Sequence, residues 1–180
     1  DFARARLFKQ GLADKAEIKL EDYRDTQGSF DRIASIEMFE AVGEKYWPAF
    51  FGKIREALVP GGRAALQVIT IADQWFDRYR RGADFIQRYI FPGGMLPTPS
   101  ALGRDIDGGG FRLADLFRFG SSYAVTLRRW HDAFDENWPQ IARLGFDERF
   151  RRTWKYYLGY CEGAFRAGAT DVGQYLVERR

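Results

Sequence analysis

The spacing of apolar and polar positions changes period several times along the chain, and each change predicts an element. Ala3 to Leu12 reads as a short helix with Gly11 near its end, and Ala16-Glu17-Ile18-Lys19-Leu20-Glu21-Asp22 alternates with period two, as a half-buried strand does. After a turn over Asp25 to Ser29, Phe30 to Ile36 reads as a second strand. Tyr46, Phe50, Ile54 and Leu58 recur every four residues, which predicts a helix over 44–58 that Pro60-Gly61-Gly62 stops. Arg63 to Ile71 runs apolar through Ala65-Leu66-Gln67-Val68-Ile69, a third strand expected to be buried on both faces. Strands separated by crossover lengths predict an α/β fold, helices packed on a parallel sheet.

From Asp73 to Phe117 the pattern changes. An aromatic, Arg-rich helix over 74–89 is followed by Phe91-Pro92-Gly93-Gly94-Met95-Leu96-Pro97-Thr98-Pro99 and the run Gly108-Gly109-Gly110. This stretch reads as an insertion over the sheet, a lid. Beyond it, Tyr123, Leu127, Trp130 and Phe134 form one helical stripe, and Phe150, Trp154, Leu158, Cys161 and Phe165 a second. Val172 to Val177 is strand-like and is expected to close the sheet as an antiparallel edge strand.

Composition narrows the chemistry. A length of 180 residues with 46% hydrophobic positions fits one globular domain and argues against a disordered chain. One histidine, His131, and one cysteine, Cys161, supply neither a Cys/His zinc site nor an internal disulfide, so no metal is expected and a reduced setting is the default. No apolar run approaches the roughly 20 residues of a membrane span. The amino terminus, Asp1-Phe2-Ala3-Arg4, reads as neither a signal peptide nor a translation start, so the chain is expected to be a piece of something longer. The net charge of +3 comes from a small arginine excess, densest at Arg78-Tyr79-Arg80-Arg81 and Arg149-Phe150-Arg151-Arg152. Basic residues among aromatics suit a solvated helix face, a nucleic-acid backbone or an anionic membrane.

Ligands of open α/β sheets bind beyond the carboxyl ends of the strands, which singles out three places. Asp22-Tyr23-Arg24-Asp25 is either an exposed turn or an aromatic that stacks on a flat heterocycle beside a carboxylate. Glu37 and Glu40, three apart in Ser35-Ile36-Glu37-Met38-Phe39-Glu40, share a helical face; one could cap a helix, or both could do chemistry. Gln67 is a polar residue inside an apolar strand, either satisfied structurally or part of a site. Cys161 lies on an apolar stripe, where packing is the default for a thiol. No Gly-Lys-Ser/Thr loop, Gly-x-Ser-x-Gly elbow or Gly-x-Gly-x-x-Gly after a strand is present.

Larger runs carry a resemblance. Phe30-Asp31-Arg32-Ile33-Ala34-Ser35-Ile36-Glu37-Met38-Phe39-Glu40-Ala41-Val42-Gly43, Leu58-Val59-Pro60-Gly61-Gly62, Tyr89-Ile90-Phe91-Pro92-Gly93-Gly94-Met95-Leu96-Pro97, Tyr123 to Trp130 and Tyr156 to Phe165 resemble the cyclopropane-fatty-acyl-phospholipid synthase family. The resemblance implies the Rossmann-like, class I methyltransferase fold. It further implies that the early strands that hold much of S-adenosylmethionine are missing, so that the chain is expected to be the carboxyl-terminal half or so of an enzyme and to be inactive alone. It implies that 1–72 is the later part of the core with the third to fifth strands, 73–117 the lid for the acyl chain, and 118–180 the closing helices and last strands.

The implied reaction moves a methyl group from S-adenosylmethionine to a cis double bond of a phospholipid acyl chain; a proton then passes to a bound bicarbonate and a cyclopropane closes. Carried over by position, Tyr23 lies against the adenine with Asp22 and Arg24 beside it, and Ile36 passes close to the cofactor. Glu40 holds the bicarbonate, Ile69 offers a backbone group there, Tyr123 hydrogen-bonds it, and Cys161 stands near the active site without acting as a nucleophile. The departure is Gln67, where many members have a bicarbonate-contacting His; Gln exchanges hydrogen bonds but does not titrate near neutral pH. Either the anion site survives with altered strength or the product shifts to a methyl or methylene branch. The resemblance implies a peripheral, cytoplasmic-face membrane enzyme whose Arg78, Arg80, Arg81 and Arg88 meet an anionic surface, with no nucleic-acid partner and a homodimer left open. A small-molecule N-methyltransferase and a non-catalytic acyl-lipid binding fragment are the competing readings.

Overall fold

A computed structural model describes residues 1–180. The first half runs through α1 (Phe2–Lys9), β1 (Phe30–Ile36), α2 (Phe39–Val42), α3 (Trp47–Ala57) and β2 (Leu58–Ile71). Three helices follow, α4 (Asp73–Arg80), α5 (Phe85–Tyr89) and α6 (Pro99–Gly108), then β3 (Phe111–Arg118). The chain ends with α7 (Gly120–Glu136), α8 (Trp138–Arg143), α9 (Glu148–Arg166) and β4 (Thr170–Arg179). The four strands form one sheet in the order β1-β2-β4-β3, with β1 parallel to β2 and β4 antiparallel to both neighbours.

One face of the sheet is closed by an aromatic core. Phe39 of α2 packs on Trp47, Phe50 and Phe51 with ring centroids 5.0–5.5 Å apart, and Ala64, Leu66 and Val68 of β2 and Leu102 and Ile106 of α6 complete the cluster. Truncating a ring as buried as Phe39 costs about 3–5 kcal/mol, more than any single hydrogen bond at about 1 kcal/mol, so packing is what holds α2 at the end of β1. On the carboxyl-terminal side, α7 and α9 pack on each other and on β4.

Several expectations change. Residues 16–22 form no strand; Leu20 is fully exposed, and alternation without a neighbouring strand to pair with gives only extended coil. Leu58 ends no helix: it keeps a helical hydrogen bond to Ile54 O but has turned to φ −92°, ψ 142°, and it opens β2, because Pro60 cannot continue a helix. β2 is fully buried on one face only, alternating from Gly62 to Val68 while Arg63 and Ala65 are exposed. The helix expected over 74–89 is two helices, separated at Gly82; Asp84 starts α5 with a reciprocal capping box to Gln87. Residues 111–117 are in β3, and α6 is under the core. β4 is antiparallel as expected but lies inside the sheet; the edge on that side is β3.

The start of α7 is fixed tightly. Phe119 donates its N–H to Val172 O at 3.0 Å, and Gly120 donates to Asp171 Oδ1 at 3.0 Å. A Cβ at Gly120 would run into that carboxylate and stand 3.2 Å from Asp171 Cα. Gly120→Ala is therefore expected to lower stability by about 1–3 kcal/mol, as forced repacking does, with a matching fall in the urea midpoint of the purified protein.

Candidate active site

Because β1 and β2 run parallel, their carboxyl ends lie side by side with Ile36 opposite Gln67. Gln67 in turn faces Gln174 of β4, and Gln174 faces Phe117 of β3. Just beyond β1, Glu37 donates its N–H to Gln67 O at 2.9 Å and has a φ of 51°, the one positive φ at a non-glycine residue. That left-handed backbone is unfavourable for a glutamate and calls for a compensating reason.

The Glu37 carboxylate supplies one. Its Oε1 accepts from Gln67 Nε2 at 2.8 Å and, in a very short hydrogen bond, from the Tyr123 phenol. Gln67 Nε2 also donates to the Tyr123 oxygen at 2.9 Å, closing a ring of three groups. A carboxylate only accepts, so it turns the amide nitrogen toward itself and leaves Gln67 Oε1 for Gln174 Nε2 at 3.0 Å. Burial, then the hydrogen bond to Glu37, push the Tyr123 phenol well above its ordinary range, so it remains a proton donor.

Glu40 stands in the first turn of α2. Its Oε1 accepts the Ile69 N–H at 2.5 Å, its backbone carbonyl accepts from Met95 at 2.8 Å, and its Oε2 is buried without a partner. Burial raises its carboxyl, the Ile69 N–H opposes that, and the charge of Glu37 adds to it. Neither glutamate caps a helix; both turn toward the ends of β1 and β2.

An aromatic wall from α7 and α9 faces these carboxylates. The Tyr123 ring lies 5.3 Å from Phe165 and 5.6 Å from Phe119, and Phe91 meets Tyr157 edge-on at 6.4 Å. Burial lifts the Tyr157 phenol to about 12, with Cys161 and Glu37 adding to the shift. Cys161 is outside the hydrogen-bonded ring, and burial pushes its thiol up to about 12, far from nucleophilic at neutral pH.

The residues matched to the cofactor line clefts that also include Met38. Tyr23 opens a 3₁₀ turn over Tyr23–Asp25, with its ring edge-on to Phe50 at 5.8 Å. Asp22 does not reach outward: Arg24 holds it through its backbone N–H at 2.9 Å and a fork of 2.8 and 2.7 Å, which keeps the carboxyl down at about 2. These three residues line a cleft of about 470 Å³ with Met38, Val42 and Tyr46. Ile36, 60% exposed, lies in an adjoining cleft of about 440 Å³ that shares Tyr23 and Met38.

Sheet order and clefts at the carboxyl ends of the parallel strands are those of the class I, S-adenosylmethionine-dependent methyltransferases. Residues 1–175 match the family model for Mycolic acid cyclopropane synthetase, and the chain belongs to that family. It is 42% identical over 179 residues to tuberculostearic acid methyltransferase UfaA1 of Mycobacterium tuberculosis, covering 98% of this chain and 42% of that protein. It is 36% identical over 168 residues to the cyclopropane-fatty-acyl-phospholipid synthase of Escherichia coli K12, covering 90% of this chain and 41% of that protein. The chain thus spans about two fifths of the length of these relatives. Among solved structures, mycolic acid cyclopropane synthase CmaA1 complexed with SAH and CTAB superposes with a TM-score of 0.83 at 27% identity, over 98% of this chain and 67% of that one.

Of the residues singled out in the sequence, Glu40, Gln67, Ile69 and Tyr123 come together, Asp22, Tyr23, Arg24 and Ile36 line the neighbouring clefts, and Cys161 is set apart on α9. Glu37 was singled out with Glu40 by its place just beyond a strand, but no role was assigned to it; the ring it forms with Gln67 and Tyr123 had no signal in the sequence. Gln174 had none, since only the β2–β4 register brings it to Gln67.

The raised carboxyl of Glu40 sets a pH dependence. The folded state binds its proton more tightly than the unfolded chain, for which the ordinary value is 4.5. Its contribution is therefore complete below that value and is lost as pH rises through the folded one. Glu40→Gln removes this loss, so the stability of the variant relative to wild type is expected to improve from acid to neutral pH in urea titrations at each pH.

Proposed function

We propose that the enzyme containing this chain methylates a cis double bond in a phospholipid acyl chain, with ring closure to a cyclopropane as the leading product. The observation behind it is the pair of carboxylates, Glu37 and Glu40, set against an aromatic wall beside the Tyr23 cleft, in a chain of the cyclopropane synthetase family. The cleft fits a cofactor with a flat heterocycle: a half-buried ring stands beside apolar Met38 and Val42. S-adenosylmethionine, bound there, supplies the methyl group. Asp22 and Arg24 hold the turn that presents Tyr23, and Ile36 lies next to it. Tyr123, Tyr157 and Phe165 offer π faces to a developing cation and keep water from it, while Glu40 and Ile69 N–H fix the end of β2 to α2.

A methylene or methyl branch is the second reading, favoured by Gln67 in place of His and by the 42% identity to a tuberculostearic acid methyltransferase. Full-length enzyme given isotopically labelled S-adenosylmethionine and monounsaturated phospholipid vesicles is expected to label the lipid fraction. Mass spectrometry of the released fatty acids separates ring from branch, and label confined to the aqueous fraction would favour a small-molecule methyltransferase instead.

A membrane surface fits α4 and α5. Trp75, Tyr89 and Phe91 are exposed there beside exposed Arg78, Arg81 and Arg88, whereas Arg80 is paired with Glu44 at 2.9 Å. Surface attachment at the cytoplasmic face is the mode proposed, on the strength of these aromatic and basic side chains; no helix is long and apolar enough to cross a membrane. At about 1 kcal/mol per basic residue near an anionic surface, replacing Arg78, Arg81 and Arg88 with Gln is expected to weaken co-sedimentation with anionic vesicles by about 100-fold, with little effect on neutral vesicles.

A further inference from the structure

The donors that the resemblance assigns to bicarbonate are already engaged. Ile69 N–H goes to Glu40 Oε1, and both Gln67 Nε2 and the Tyr123 phenol go to Glu37 Oε1. A bicarbonate placed among them would displace Glu37 and stand as a third anion beside two carboxylates, one of them already raised by burial and by its neighbour. The residues present do not fit that anion.

We infer that Glu37 is the built-in proton acceptor of the reaction, its carboxylate lying where the family resemblance expects an exogenous anion. This rests on the acyl-methylation reading above. Three observations carry it. Tyr123 and Gln67 converge on one oxygen of Glu37, which leaves Oε2 free of any partner and open at the site. The backbone takes the unfavourable left-handed conformation at this residue alone among non-glycines. Gln67 cannot take up a proton, so the carboxylate is the only base in the ring of three.

The step balances without an oxidant or reductant. The alkene π pair forms the bond to the incoming methyl carbon as that carbon's bond to sulfur breaks, leaving a cation on the other alkene carbon. Glu37 Oε2 then removes a proton from the new methyl group. The C–H electron pair closes the three-membered ring or, when a 1,2-hydride shift has first moved the cation to the methyl-bearing carbon, forms the C=C bond of a methylene branch. Tyr123 and Gln67 hold Oε1 throughout, and the neutral acid afterwards releases its proton to solvent.

The test uses full-length enzyme, wild type and two variants. Glu37→Gly is suited to the positive φ and empties the ring; Glu37→Gln keeps the shape and removes the base. First, [¹³C]bicarbonate alone is titrated and followed by NMR: wild type is expected to show no saturable binding and Glu37→Gly to gain it. Saturable binding to wild type that Tyr123→Phe abolishes would overturn the inference. Second, turnover on monounsaturated vesicles is measured in CO₂-free buffer. Wild type should be indifferent to added bicarbonate, Glu37→Gln should fall by about 10²-fold or more, and Glu37→Gly should recover in part when bicarbonate is added. A tenfold or larger loss in wild type on removing bicarbonate would overturn it as well. If even wild type labels no lipid, the acyl-methylation reading fails, and the bicarbonate titration alone decides whether Glu37 fills the anion position.

Discussion

The ladder between β2 and β4, from Arg63 opposite Glu178 to Ile71 opposite Thr170, sets the position of nearly everything else. β4 enters between β2 and β3 and so brings Gln174 to Gln67 on one edge and Phe117 to Gln174 on the other. The same strand carries Val172 and Asp171, which receive Phe119 and Gly120 and thereby set where α7 begins. Tyr123 stands one turn later, and its phenol reaches a carboxylate that precedes it by 86 residues. A site assembled from β1, β2, α2 and α7 thus depends on the last element of the chain.

Electrostatics divides the two glutamates. Glu40 is partly buried and its second oxygen, fully covered, has no partner, so the proton is held more tightly there than in water. Glu37 is exposed and shares one oxygen between an amide and a phenol. Two carboxylates three residues apart therefore sit in different environments, a division that allows one to anchor the backbone of β2 while the other stays available to a reacting group.

Local signals in the sequence reached the elements whose partners are also local or whose patterns are strong. β1, the helix ahead of Pro60 and the stripes of α7 and α9 follow from period and punctuation alone. Residues 16–22 show the converse: their alternation is as clear as that of β1, but a strand exists only where another chain segment accepts its hydrogen bonds. The inner place of β4 was likewise hidden, because antiparallel pairing on two edges leaves no mark in the composition of a strand. In the site, Glu40 and Gln67 stand out by their places at strand ends, and their roles, with those of Ile69 and Tyr123, were reached through the family resemblance. The role of Glu37 was not, since it arises from a left-handed turn and a register that spacing does not encode.

The two open edges of the sheet are unlike. β3 spaces Arg112, Asp115 and Arg118 along its length, and a charged edge of this kind resists pairing with another sheet. β1 has charge only at its start, in Asp31 and Arg32, and continues through Ile33-Ala34-Ser35-Ile36 with its outer backbone groups unpaired. In a preparation of this chain alone, that edge offers a template on which a second molecule can add a strand through four uncharged residues.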